Sequence, residues 1–172
     1  MSTQTSIEWT ERTWNPAVGC SKVSPGCAHC YAEVMARRLQ AMGVKGYKNG
    51  FEITLLPHRL EEPLLRKSPT IYFVNSMSDL FHEEIPDDYI HQVFDVIRRA
   101  PQHTFQVLTK RAEGMATFFK DFAPPKNAWL GVTVEDQQFG VPRLDWLRQV
   151  PAHIRFVSVE PLLEDLGALN LN

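Results

Sequence analysis

Segments rich in β-branched and aromatic residues alternate along the chain with segments whose apolar residues recur at helical spacing. The clearest helix is predicted after Pro86, because Asp87 and Asp88 favour a helix N-terminus and the apolar residues that follow form a stripe up to Ile97. Weaker helical patterns cover residues 28–42, 112–122 and 141–150. Six segments are predicted to be strands: residues 7–10, 51–56, 71–77, 104–109, 129–134 and 155–159.

This alternation of strands and helices predicts an α/β fold with a parallel sheet and helices packed outside it. Both a (β/α) barrel and an open doubly wound sheet fit the pattern, and we expect a partial or six-stranded parallel (β/α) barrel. The chain has 172 residues, which fits a single domain over residues 1–172.

Composition narrows the class of protein. Hydrophobic residues make up 44% of the chain and charged residues 22%, which is typical of a globular protein and excludes a disordered one. The net charge of −2 gives no chain-wide basic field for nucleic acid, although a local basic patch stays open. No apolar run is long enough to span a membrane, and the polar N-terminus is unlike a signal peptide, so we expect a soluble, cytoplasmic protein.

All three cysteines of the chain lie within one short segment, which we call the cysteine loop (residues 19–31). Cys20, Cys27 and Cys30 are spaced C-x6-C-x2-C, and such clustering favours metal ligands over disulfides. They either hold three irons of a [4Fe–4S] cluster, with the fourth iron open, or hold zinc with a histidine as fourth ligand. Three buried, unligated thiols are the remaining alternative. The candidate zinc ligands are His29, His58, His82, His91 and His103.

Polar residues follow four of the predicted strands at the point where each strand ends. Carboxyl ends of parallel strands meet at one edge of a sheet, so we expect these side chains to form one ligand site. Serine and acidic side chains suit hydroxyl and amino groups of a cofactor, and lysine suits a carboxylate or phosphate. The candidate cofactor-binding residues are Ser76, Ser78, Asp79, Lys110, Glu135 and Glu160.

A cysteine triad of this kind in a (β/α) protein resembles the radical S-adenosylmethionine (SAM) enzymes. Their usual spacing is C-x3-C-x2-C with an aromatic residue before the last cysteine, whereas this chain has a longer first gap and His29 at that place. The chain is more similar to a family of phage- and prophage-associated bacterial proteins of uncharacterised function, known for three cysteines. The segments that carry this resemblance are residues 6–10 (SIEWT), 13–16 (TWNP), 19–33, 73–82, 105–111, 129–136 and 159–163.

The resemblance implies a radical-SAM-like iron–sulfur barrel and leaves the reaction open. On this hypothesis, the cluster binds SAM at its open iron and cleaves it reductively to a 5′-deoxyadenosyl radical, with the polar strand ends positioning the cofactor. The phage context implies a nucleic acid or nucleotide as the substrate, and the chemistry implies an electron donor such as flavodoxin or ferredoxin. Family members commonly continue beyond the last residue of this chain, so a C-terminally truncated form is expected.

Two other functions stay open at this point. One is a zinc-stabilised binding module without catalysis, and the other is an inactive, truncated prophage remnant that folds but binds no SAM. Neither the catalytic residues nor the oligomeric state follow from the sequence.

Overall fold

The computed structural model describes residues 3–5 and 7–171, without the side chains of residues 3 and 4, so residues 1, 2, 6 and 172 of the predicted domain lie outside the described residues. The strands are β1 (Thr3–Gln4), β2 (Arg12–Trp14), β3 (Ala17–Val18), β4 (Thr54–Leu55), β5 (Ile71–Val74), β6 (Thr104–Thr109), β7 (Ala128–Thr133) and β8 (Ile154–Ser158). The helices are α1 (Tyr31–Ala41), α2 (Asp87–Arg99), α3 (Ala112–Phe118) and α4 (Arg143–Gln149). Short 3-10 helices cover Pro25–Cys27, Pro57–Arg59 and Glu62–Leu65.

One sheet holds most of the strands, in the order β1-β2-β5-β6-β7-β8. β1 runs antiparallel to β2, and every other neighbouring pair is parallel. The α/β fold with a parallel sheet is therefore confirmed. Among the described residues its parallel part has five strands, so of the two forms expected, partial or six-stranded, the six-stranded one does not appear. Within the described residues β1 and β8 form the two edges, so the structure does not show a closed barrel.

The first parallel strand lies later in the sequence than predicted. Residues 7–10 contain a turn, and the Trp9 ring packs edge-on against Phe73 with the ring centroids 4.9 Å apart. Pairing with β5 begins at Glu11, whose backbone N–H donates to the Ile71 carbonyl at 3.2 Å and whose carboxylate accepts from the Ile71 N–H at 2.8 Å. The strand forms where its backbone groups can pair with a neighbouring strand, although residues 7–10 just before it are more apolar.

The second predicted strand, residues 51–56, does not join the main sheet. Only β4 is extended there, and it pairs antiparallel with β3 in a separate two-stranded sheet. α1 packs on this small sheet through Ala32 and Ala36, and a second hydrophobic core forms between them. α1 begins at Tyr31 and not at residue 28 as predicted, because Pro25–Cys27 forms a 3-10 turn.

The main core lies between the large sheet and the outer helices. The predicted helix after Pro86 is confirmed as α2, which buries its apolar stripe from Tyr89 to Ile97. α3 ends at Phe118 and α4 covers Arg143–Gln149, so both are shorter than predicted. In the part of the chain that the structure describes, no helix is both long and apolar enough to cross a bilayer. The helices hold the carboxyl ends of the parallel strands at one edge of the sheet.

Candidate functional site

The first cysteine is fixed at this edge by backbone contacts. Gly19 donates its N–H to the Met77 carbonyl at 2.9 Å, and the Cys20 N–H donates to the Phe51 carbonyl at 3.0 Å. Gly19 has φ +90°, and a Cβ there would lie 2.1 Å from the Glu52 carbonyl oxygen. Only glycine fits this position, so the entry into the cysteine loop is tightly specified.

The other two cysteines lie on either side of a tight turn. The Cys27 N–H donates to the Ser24 carbonyl at 2.9 Å within the short 3-10 helix, and Cys30 caps the N-terminus of α1. All three cysteines are free thiols of intermediate exposure. The loop thus brings three partly buried sulfurs to one end of the sheet.

The three cysteines and most of the predicted strand-end residues line one cavity of about 550 Å³, which we call the cysteine cavity. Apolar side chains such as Trp9, Phe73 and Leu163 form much of its remaining wall. The predicted residues in its lining are Ser76, Ser78, Asp79, Lys110 and Glu160. The structure therefore brings these five together with the thiols, while Glu135 lies behind the wall.

Asp79 is buried and its carboxylate is already engaged within the protein. One oxygen accepts from the Thr109 hydroxyl at 2.7 Å and from the Phe81 N–H at 3.1 Å. The other accepts from the Lys110 N–H at 3.0 Å. Asp79 thus joins the ends of β5 and β6 and shapes the cavity wall.

Glu135 is completely buried beneath the cysteine loop. Its carboxylate pairs with Arg143 at 2.5 Å and 3.2 Å, lies 3.7 Å from the Lys110 ammonium, and accepts from the Ser24 hydroxyl. Burial opposes ionisation, but the hydrogen bonds from Arg143 and Ser24 and the charge of Lys110 hold its pKa below the ordinary value. A Cβ at Gly26 would lie 3.0 Å from this side chain, so the loop backbone rests directly on it.

Lys110 stands between Glu135 and the cavity with 18% of its side chain exposed. Burial lowers the pKa of Lys110, and the negative charge of Glu135 partly opposes that shift. The ammonium group therefore lies where it can meet an anionic group of a ligand.

Arg111 is nearly buried, and its guanidinium reaches the first cysteine. Nη1 lies 3.5 Å from the Cys20 sulfur, and Nη2 donates to the Ser21 hydroxyl at 2.8 Å. Burial, together with the charge of Asp79, raises the pKa of the Cys20 thiol to about 11, while Arg111 acts in the opposite direction. Arg111 is thus the cation that favours a thiolate at Cys20.

The polar groups of the remaining predicted residues differ in whether they are already hydrogen-bonded within the protein or open to a ligand. The Ser76 hydroxyl exchanges hydrogen bonds with the Asn15 side chain at 3.1 and 3.2 Å, and the Ser78 hydroxyl donates to the Ala17 carbonyl at 2.9 Å. Glu160 lines the cavity, as expected of a strand-end residue, and its side chain is exposed. β8 ends at the sheet edge, where nothing in the described chain packs over this side chain closely enough to bury it.

The sequence profile described as "Protein of unknown function (DUF5131)" matches residues 4–172. The chain belongs to the DUF5131 family. No functionally curated protein matches it.

Solved structures similar to this DUF5131 chain include three of spore photoproduct lyase. A variant with one cysteine replaced by serine has a TM-score of 0.64 at 13% identity, over 94% of this chain and 48% of the enzyme. The complex with dinucleoside spore photoproduct has a TM-score of 0.64 at 14% identity, over 97% and 50%. A double variant with bound S-adenosylmethionine and the same dinucleoside has a TM-score of 0.61 at 13% identity, over 94% and 48%.

At this identity the likeness concerns the fold, which is similar to that of a radical SAM enzyme. The DUF5131 chain spans about half the length of the lyase.

The three cysteines are the candidate metal ligands of this DUF5131 chain. Among the described residues, no three His, Cys, Asp or Glu side chains converge closely enough to hold a single metal ion. Of the candidate zinc ligands, His29 lines the cysteine cavity, whereas His82 is buried against Ser21, and His103 against the Pro63 carbonyl. Three free thiols that line one cavity could hold three irons of a cluster, whereas a zinc site would need a fourth ligand beside them.

The contacts of two residues of the site could not be read from the sequence, although Arg111 falls within the segment 105–111 quoted for the family resemblance. Arg143 pairs with Glu135 from the next helix, and Arg111 reaches Cys20 from the end of β6, far away along the chain. Asn15, which orders Ser76, falls within the TWNP segment quoted for the family resemblance. That segment was the one available indication of its role.

Proposed function

We propose that this DUF5131 protein is a radical SAM enzyme in which Cys20, Cys27 and Cys30 hold a [4Fe–4S] cluster and the cysteine cavity binds SAM. The observation that carries this proposal is that three free thiols and the polar ends of parallel strands line the same cavity. A fold similar to that of spore photoproduct lyase, which has been solved with bound S-adenosylmethionine, supports it.

The donor set fits such a cluster. Three thiolates would leave one iron of a [4Fe–4S] cluster without a protein ligand, and that iron could take the amino and carboxylate groups of SAM. When bound, the cluster would supply the electron that cleaves SAM to a 5′-deoxyadenosyl radical. The chain's own residues bind, orient and shield the reactants.

Different residues take different parts in this proposal. The Ser76 and Ser78 segment and the exposed Glu160 carboxylate offer polar groups at the cavity wall for the hydroxyl and amino groups of SAM. Lys110 offers an ammonium for a carboxylate. Asp79 and Glu135, whose oxygens are already engaged, position the surrounding strands and the cysteine loop.

Apolar side chains form part of the cavity wall and would shield the reactants from water on that side. Trp9 and Phe73 pack together at the cavity wall, and Leu163 lines the same cavity. A reactive radical is protected from side reactions where such side chains exclude water.

A nucleic acid or a nucleotide is the substrate class that we propose, since the structural neighbour has been solved with a dinucleoside photoproduct. An electron donor such as flavodoxin or ferredoxin, and a cytoplasmic location, stay predictions. Incubation of the loaded enzyme with SAM, a reductant and oligonucleotides, followed by mass analysis of the nucleosides, tests the substrate class. Unmodified nucleosides alongside cleaved SAM would count against a nucleic acid and leave the enzyme class intact.

Anaerobic purification and reconstitution with iron and sulfide test the cluster itself. We expect about four irons and four sulfides per chain and a brown protein, with strong loss of both in Cys20→Ala, Cys27→Ala and Cys30→Ala. The exposed Ser68→Ala variant serves as the control and should keep the full iron content. One tightly bound zinc in a colourless protein would refute the proposal and favour the zinc-stabilised binding module.

Cleavage of SAM is the second part of the test. With the cluster loaded and dithionite as reductant, we expect 5′-deoxyadenosine and methionine from the wild type and none from the cysteine variants. A full cluster with no cleavage would instead favour the inactive remnant.

A further inference from the structure

We infer that Arg111 sets the reduction potential of the cluster through a fixed charge and hydrogen bond at Cys20. This inference rests on the proposed function and concerns a residue that the sequence did not single out for it. The decisive juxtaposition is the guanidinium Nη1, which lies 3.5 Å from the Cys20 sulfur.

The guanidinium is held in place on every side. Nη2 donates to the Ser21 hydroxyl at 2.8 Å and to the Ser21 carbonyl at 3.2 Å. Nε donates to the Glu83 carboxylate at 3.0 Å, and Nη1 lies 3.6 Å from an Asp79 oxygen. A planar group held by this many contacts cannot turn away from the sulfur.

The partners of Arg111 are themselves anchored. Asp79 is fixed by Thr109 and by the backbone N–H of Lys110. Ser21 is also within 2.8 Å of the buried His82 ring, whose other nitrogen accepts from the Glu84 N–H at 3.1 Å. That bond assigns the proton of His82 to the nitrogen facing Ser21, so the serine oxygen receives hydrogen bonds from both His82 and Arg111.

A charged side chain donates a hydrogen bond to the sulfur of Cys20, whereas Lys110 acts on Cys27 through its charge alone. Near Cys27 the described hydrogen-bond partner is the neutral Ser24 hydroxyl, at 3.9 Å from the sulfur. Arg111 has only 9% of its side chain exposed, so solvent screens its charge weakly.

Reduction adds one electron to the cluster and makes it more negative. A fixed positive charge and an N–H donor at a ligating sulfur stabilise the reduced form, and hydrogen bonds and net charge are the factors that tune cluster potentials. Replacement of Arg111 should therefore make the cluster harder to reduce.

The test is a potentiometric titration with dithionite, followed by electron paramagnetic resonance, on the reconstituted protein. For Arg111→Gln we expect the equilibrium constant for reduction to fall about tenfold, which is about 59 mV toward more negative potential for one electron. Glu83→Gln removes a negative charge that is 69% exposed and should shift the potential less, in the positive direction. Arg98→Gln, an exposed arginine of α2, should leave the potential unchanged.

If Arg111 and Glu83 had only a structural role, replacing them would lower the cluster content but would not shift the reduction potential in opposite directions. Opposite shifts in Arg111→Gln and Glu83→Gln would therefore show an effect of charge. A potential for Arg111→Gln equal to that of Arg98→Gln would overturn the inference and leave the proposed function standing. If Arg111→Gln loses its cluster, Arg111→Lys provides the test, because it keeps the charge but not the fork of donors. The retained charge should keep the potential of Arg111→Lys near that of the wild type, and the inference is overturned if Glu83→Gln then shifts the potential no more than Arg98→Gln does. A wild type without any cluster would overturn the proposed function as well.

Discussion

Replacing Arg143 with methionine should destabilise the protein strongly, because it breaks a buried ion pair from one side. Glu135 is completely buried, and Arg143 contributes two of its contacts, at 2.5 Å and 3.2 Å. The Lys110 ammonium, at 3.7 Å, is too far away to replace them. Methionine keeps much of the side-chain volume, so the loss is mainly electrostatic.

Removal of one partner from a buried pair costs about 3 kcal/mol or more, because the other charge stays buried without full compensation. For a chain of this size the unfolding temperature falls by about 2–4 °C per kcal/mol, so we expect a decrease of about 6–12 °C. The matched control is Arg99→Met. Arg99 also forms two ion pairs, with Asp95 and Glu61, but half of its side chain is exposed and solvent screens its charge, so its loss should destabilise the protein much less.

Urea unfolding, followed by tryptophan fluorescence, measures both variants. The folded state lowers the pKa of Glu135, so the stabilisation by its carboxylate is present above the unfolded pKa and is lost as the pH falls through the folded pKa. The difference between wild type and Arg143→Met should therefore shrink in acid. Equal losses of stability in Arg143→Met and Arg99→Met at neutral pH would refute the reasoning, as would a difference that grows in acid.

Two further predictions concern the backbone of the cysteine loop and a buried phenol. Gly19→Ala should lower the free energy of unfolding by more than about 2 kcal/mol, because its Cβ would meet the Glu52 carbonyl. The control Gly43→Ala, at φ +68° in open space, should lower it by about 1 kcal/mol. Similar losses of stability for the two variants in denaturant titrations would contradict this account. Burial raises the pKa of Tyr89 to about 12. Its neutral phenol therefore contributes full stabilisation at pH values below the ordinary tyrosine pKa of about 10, and this stabilisation is lost as the pH rises toward 12. The difference in tyrosinate absorbance between wild type and Tyr89→Phe gives this pKa directly, and titration near the ordinary value would show the prediction to be wrong.

The features that depend on residues close together in the sequence could be predicted from it. α2 was predictable because Asp87 and Asp88 at its start and its apolar stripe are all close in sequence. The polar strand ends were predictable for a related reason, since a parallel sheet aligns its carboxyl ends whatever the details of packing. The clustering of the three cysteines is visible in the sequence alone.

Long-range pairing accounts for the parts that could not be predicted. The segment 7–10 is more apolar than Arg12–Trp14, yet the latter faces β5 and becomes the strand. β3 and β4 are two-residue strands whose pairing joins distant parts of the chain, and no local pattern marks it. The pairing of Glu135 with Arg143 and the contact between Arg111 and Cys20 depend in the same way on where α4 and the end of β6 come to lie.

The buried charges behind the cysteine cavity would stabilise the fold less than apolar side chains in their place, and their position supports the proposed function. Asp79, Glu135, Arg111 and Arg143 are all nearly or completely buried, and buried ion pairs often stabilise a fold less than apolar side chains of similar size would. They are concentrated where the ends of β5, β6 and β7 face the thiols, whereas the core beneath the sheet is built from aliphatic and aromatic residues. Thiolate ligands would add negative charge at this edge, and Lys110 and Arg111 are the cations that already face it. Buried charges that would match an anionic iron–sulfur cluster favour the proposed function over a passive structural module.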